Sequence, residues 1–239
     1  MEYSFNVYNA FATDGIAVSI EKFLQQAKTK KSLFSSSPSR SKIPLIKKNL
    51  FLESKTEGAG TRLKKILDEK RGVGDDFSAP LPVLLCVGSD LAIGDCLGPI
   101  TGSMLKRKTQ GLNAFVYGTL SSPVTAKEMK YVKEFLKSTH PRSVVVAVDA
   151  AVGGAGDIGL IKVTDQPLRP GAGANKDLGA VGDMSVMGIV AEKSVGNYAL
   201  LNQTRLNLVY KMAEVLSDAL ANLLFEKSSR LSKLDSGIL

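Results

Sequence analysis

The chain has 239 residues, 44% hydrophobic and 23% charged, which is enough to bury the core of one ordinary domain and excludes a disordered polymer. Its net charge is +8, but residues 28–48 hold seven basic residues and no acid, leaving +1 on the other 218 and excluding a fold that is basic throughout. The longest apolar runs are of strand length, far below the ~20 residues of a membrane span, and two cysteines without CxxC or metal spacing suit a reducing cytoplasm.

In chain order, Ile16, Ile20, Phe23, Leu24 and Ala27 recur at helical spacing and predict a short amphipathic helix. The following "KTKKSLFSSSPSRSKIPLIKK", residues 28–48, is rich in Lys, Ser and Pro and reads as a solvated, flexible arm. Any contact with nucleic acid is confined to it. Residues 1–60 are therefore expected to be a flexible basic extension, 61–228 the folded domain and 229–239 a tail. A short helix is predicted over 61–70, followed by the breaker "GVGDDFSAPLP". Strands are predicted at 83–88, 114–119, 143–149, 158–163 and 185–191. The first and third are almost continuously apolar, as in strands covered on both faces. Helices are predicted over 97–108, 124–138 and 198–226, the last with the stripe Leu201, Leu208, Met212, Val215, Leu216, Ala219 and Leu223. This alternation predicts an α/β/α sandwich around a mostly parallel sheet.

In such sheets function gathers beyond the carboxyl ends of the strands. Asp95, in "VLLCVGSDLAIGDCLGPI", follows the first buried strand, and Asp149, in "VVVAVDA", ends the third. Parallel strands bring both carboxylates to one edge. A close pair cannot ionise twice with ease, so it can activate water and protonate a leaving group, or jointly hold a divalent cation. Taken singly, Asp95 also suits a helix N-cap and Asp149 a strand end that accepts backbone hydrogen bonds. No cofactor is expected. Asp90 lies on the same loop as Asp95. The seventeen-residue loop 167–183, "PLRPGAGANKDLGAVGD", is long for a connector; Gly171, Gly173 and Lys176 can offer amides and a cation to an anionic group, and Asp183 a further carboxylate. The same glycines also suit a plain connection that needs positive φ angles.

Other chemistries fit less well. Glycines at 88, 94 and 98 match neither G-x-G-x-x-G nor the Walker pattern, and the loop's aspartates would repel a phosphate. The single histidine, His140, precedes the third strand and so falls at the edge opposite Asp149, which leaves no Ser-His-Asp or Cys-His machine.

The blocks "CVGSDLAIGDCLGPITGSML", "VYGTLSSPV", "VVVAVDA", "PLRPGAGANKDLGAVGDMSVMGIV" and "LLNQTRLNLVYKMAEVL" resemble, in order over residues 82–220, the YyaC-type spore protein family. "GDCLGP", "VDA" and "RPGAGANK" are similar, more distantly, to blocks of the spore germination protease, and the acidic loop and "VDA" strand end resemble hydrogenase maturation endopeptidases. These resemblances imply a phosphorylase/hydrolase-like three-layer fold and carry the important acids onto Asp95 and Asp149. Maturation endopeptidases bind nickel through equivalent acids and a histidine, which this edge lacks. Leu91 and Ile93 stand where the nearest pattern has Arg and a small hydroxyl residue. The expectation is a cytoplasmic or spore-compartment hydrolase of sporulation or germination, peptidase-like, acting on a protein or peptide. The alternative is a non-catalytic spore-associated binding protein with the same fold. Monomer and homo-oligomer are both left open.

Overall fold

The computed structural model describes residues 1–35, 81–112, 114–170, 179–193 and 204–235. Its centre is a six-stranded sheet in the order β1-β5-β6-β4-β2-β3, built from β1 (Glu2–Asn6), β2 (Val83–Cys86), β3 (Phe115–Tyr117), β4 (Val145–Gly153), β5 (Leu160–Thr164) and β6 (Met184–Glu192). The β3–β2, β2–β4 and β4–β6 pairings are parallel, whereas β5 and β1 add antiparallel on the far side of β6. Among the described residues, four α-helices flank it: α1 (Ala12–Ser35), α2 (Leu97–Lys108), α3 (Met129–Thr139) and α4 (Leu206–Asp235).

Period-two alternation divides the strands between two cores. Leu84, Cys86, Val146, Val148, Ile161, Val163 and Val186 face α1, α2 and α4, where Ile20, Leu105 and Leu216 complete the packing. Val83, Leu85, Val145 and Ala147 face the opposite way, onto Met129 and Leu136 of α3. All four residues of β2 are buried, as its unbroken apolar run requires. This is the expected α/β/α sandwich.

The expected boundaries shift where local contacts outweigh periodicity. Helix α3 begins at Met129 rather than near 124, because Val124 bridges Val87 as a short parallel extension of β2. Between them, the Thr125 amide donates to the Glu128 carboxylate at 3.0 Å and closes a turn. The predicted 61–70 helix lies outside the described residues. So does the start of the predicted 198–226 helix, which continues to Asp235 and takes up most of the expected 229–239 tail.

The expectation of a flexible extension over 1–60 is corrected for its first part. Strand β1 pairs with β5 from Glu2↔Thr164 to Asn6↔Leu160. Helix α1 buries Ile16, Ile20, Phe23 and Leu24 completely or nearly so, and Lys227 of α4 reaches its Glu21 at 2.5 Å. The basic stretch also starts as helix, since residues 28–35 belong to α1; residues 36–48 lie outside the described residues. Burying four large side chains outweighs the solvation of the few charges on that turn: each contributes about 1.5–3 kcal/mol.

Candidate active site

The two acids meet at the carboxyl ends of β2 and β4, where the connections diverge. From β2 the chain leaves through α2 towards β3; from β4 it leaves towards β5 on the other side. Such a switch point opens a crevice beyond the sheet. The longer strand also matters. Strand β4 has nine residues against four in β2, and its burial changes at Asp149 from fully buried to partly exposed. Asp149 is thus the first side chain on β4 to emerge from the core.

Asp95 is brought over it by a backfolded loop. After β2, the Val87 amide still donates to Val148 O at 2.7 Å and Gly88 to Val124 O at 3.0 Å. The chain then turns, and Ser89 N donates to Asp95 O at 3.1 Å, closing the loop onto itself. Gly88 sits at φ +140°, and a Cβ there would collide with the Asp95 carbonyl. Gly98, on the first turn of α2, lies against the Val87 backbone so closely that a Cβ would come within 2.9 Å of Val87 N and nearer still to its carbonyl. Asp95 itself stands in a 3₁₀ turn, Ile93–Cys96, and the N-cap position of α2 belongs to Cys96, with no side-chain capping bond. The helix-cap reading of Asp95 is therefore set aside.

Asp149 accepts one bond, from the Ala150 amide to Oδ1 at 2.8 Å; among the described residues its Oδ2 has none. Protein atoms surround it densely, yet some solvent reaches it. Burial first, then the Asp95 charge, hold its carboxyl well above the ordinary value of 3.8, with the Ala150 amide opposing. Burial also raises Asp95, against the pull of the Ser89 amide. The two carboxyls interact and titrate as a pair, so that loss of the first proton holds the second more tightly. One proton retained and one released is the charge state that acid/base chemistry requires.

Asp90 is exposed on the rim of the same loop. Burial, then the charges of Asp95 and Asp90, push the Cys96 thiol up, and its Sγ donates to Ala92 O at 3.2 Å. Burial alone drives Cys86 to about 12. Neither is a ready thiolate nucleophile.

Asp183 is not brought to the acids. It sits at the amino edge of the sheet, where its backbone N–H donates to Val145 O at 2.8 Å and its Oδ2 accepts from Val145 N at 2.8 Å. Four residues of β4 separate Val145 from Asp149, about 13 Å at 3.3 Å per residue. Its carboxylate clamps a strand start, a use that loop composition alone does not distinguish from ligand binding. Gly171, Gly173 and Lys176 lie outside the described residues. His140 is at the amino edge, as expected, its Nε2 held 2.7 Å from the Tyr117 hydroxyl and its ring 4.4 Å from that of Phe115. Among the described residues, no group of three or more His, Cys, Asp or Glu is placed to hold a metal ion, so Asp95 and Asp149 have no third ligand there for nickel. No helix among them is long and apolar enough to cross a membrane.

Sequence reasoning missed Lys162. Asp149 pairs with Met187 on β6, and Met187 with Lys162 on β5, so the three stand in one row on one face of the sheet. Lys162 Nζ lies 3.7 Å from Asp157 Oδ2 and 3.8 Å from Glu2 Oε1. The signal was present: Lys162 is the sole charged residue in the otherwise apolar "IGLIKV".

The family described as "Protein of unknown function (DUF1256)" matches residues 58–219. The chain is 44% identical over 139 residues to the uncharacterized protein YyaC of Bacillus subtilis, covering 58% of this chain and 67% of that one. This agrees with the resemblance read from the sequence blocks. Among solved structures, a NiFe hydrogenase maturation protease from Thermococcus kodakarensis aligns over 65% of this chain and 98% of its own, at 14% identity and a TM-score of 0.35.

Proposed function

We propose a hydrolytic, peptidase-like function for this chain, which belongs to the DUF1256 family of proteins of unknown function. The observation that carries the reading is the meeting of two acids, Asp95 and Asp149, at the sheet's switch point, where burial raises the proton affinity of both. Asp149 keeps its proton and Asp95 gives its own up. A water held between them loses a proton to Asp95 as its oxygen attacks a peptide carbonyl carbon. Asp149 donates its proton to the carbonyl oxygen, which stabilises the tetrahedral intermediate. Collapse of that intermediate breaks the C–N bond as the proton on Asp95 passes to the departing amine and one hydroxyl of the intermediate returns its proton to Asp149, which leaves a free carboxylic acid and restores both side chains. The substrate is a protein or peptide, and the resemblance to spore protein families makes sporulation or germination its setting, in the cytoplasm or the spore compartment.

The test is hydrolysis of a degenerate peptide library and of unfolded protein, read by mass spectrometry. The wild-type chain is expected to cleave, and Asp95→Asn and Asp149→Asn each to lower kcat by about 10³-fold or more while remaining folded. Absence of cleavage by the wild type, or equal cleavage by either variant, overturns the reading in favour of a binding protein.

A further inference from the structure

Lysine is unusual on the face of a central sheet, and the position of Lys162 is defined by register rather than by a mobile side chain. Two strand spacings, roughly 10 Å, separate its backbone from that of Asp149. Val87, Asp149, Met187 and Lys162 form successive members of one row, since Val87 follows the Cys86↔Val148 pair. Residues directly opposite in a ladder project from the same face. The row therefore carries an acid and a cation on one face of the sheet, with Met187 between them.

The partners of Lys162 do not account for it. Glu2 and Asp157 stand at 3.8 and 3.7 Å, beyond hydrogen-bond length, and their side chains are 51% and 41% exposed. Solvated pairs of this kind hold little energy and reform with another carboxylate at small cost. The Lys162 side chain is itself 25% exposed, and with both carboxylates beyond hydrogen-bond length its ammonium keeps donors for an incoming acceptor. A lysine needed only to tie β1 to the sheet would gain more from a close pair such as Lys227–Glu21 at 2.5 Å.

We propose that Lys162 is a specificity-determining residue that receives a carboxylate of the substrate, so that the site selects peptides with Asp or Glu near the bond to be cut. This rests on the hydrolytic reading of Asp95 and Asp149. An extended chain advances about 3.3 Å per residue, which puts the acidic residue within about three positions of the scissile bond. Met187, between cation and acids, supports the intervening chain with an apolar surface.

The experiment compares wild type, Lys162→Met, Lys162→Arg and Lys162→Glu on the same degenerate peptide library, with circular dichroism to show that each is folded. Expected is enrichment of Asp and Glu within three positions of the cleaved bond. For a single acidic peptide, Lys162→Met is expected to lower kcat/KM about 10–100-fold, chiefly through KM. Lys162→Arg should retain the preference, and Lys162→Glu should shift it towards Lys and Arg. Replacing the peptide's Glu by Gln should reproduce the loss in the wild type, which needs no variant to fold. Cleavage without acidic enrichment, or an unchanged profile in Lys162→Glu, overturns the inference and leaves the hydrolytic reading standing. Peptide-array binding separates the other case. If the wild type does not cleave yet binds acidic peptides in a Lys162-dependent way, hydrolysis is refuted and recognition by Lys162 stands. Neither cleavage nor such binding sinks both.

Discussion

Asp149→Asn is expected to make the protein more stable at neutral pH while it abolishes turnover. The substitution keeps the shape of the side chain and the Oδ1 that accepts the Ala150 amide at 2.8 Å. What it removes is an acid that the unfolded chain ionises more readily than the fold does, because burial first and then the charge of Asp95 oppose its ionisation in place. An acid whose folded proton affinity exceeds its unfolded one favours the fold while protonated, below the ordinary value of 3.8. That contribution is lost as the pH rises from there through the elevated folded value, and above it the fold bears the full cost of the ionised form. Each tenfold in proton affinity corresponds to about 1.4 kcal/mol. For a domain of this size that is about 3–6 °C in Tm. The assay is thermal unfolding of both proteins from pH 3 to pH 9. The wild type should lose stability relative to Asp149→Asn across the titration, with the difference levelling off once Asp149 ionises. A variant less stable at pH 7, or a difference independent of pH, would show that the carboxylate serves the fold and refute the electrostatic argument.

Three further outcomes follow from the same geometry. Asp95→Asn removes the neighbouring charge, so Asp149 should release its proton at lower pH; NMR titration of the Asp149 carboxyl carbon checks the sign, and no movement would show that the acids are not coupled. Gly98→Ala drives a methyl into the Val87 backbone and is expected to cost about 3 kcal/mol or more by chemical denaturation, with turnover reduced because the Asp95 loop is displaced. Asp183→Ala strips the acceptor from the Val145 amide and should cost about 1–3 kcal/mol while kcat/KM per folded molecule stays constant. A selective loss of turnover would return Asp183 to the site.

The strands were legible because burial on both faces leaves an unbroken apolar run in the sequence, as in Val83–Cys86. Helix α2 was legible to the residue, since the Gly and Asp loop ends abruptly at its first apolar turn. Asp95 and Asp149 could be named because parallel strands send their ends to one edge whatever the side-chain detail. Strand β1 could not: five residues at a sheet edge alternate weakly, and their partner lies some 160 residues away. Asp183 was misread for a related reason. Loop composition records that a carboxylate is wanted, whereas the sheet edge it occupies depends on strand direction, and the loop returns to the amino side of β6. Lys162 is intermediate, conspicuous within its strand but meaningless until β5 is known to run antiparallel beside β6.

The seating of β1 beside β5 bears on how the gene product can be trimmed. A polypeptide begun at residue 58, where similarity to the family starts, would strip the outermost ribbon and leave β5 with a row of unsatisfied amides and carbonyls. It would also lay bare the greasy side of α4 against which Ile20 and Leu24 rest. Such a shortened molecule invites self-association through that raw border.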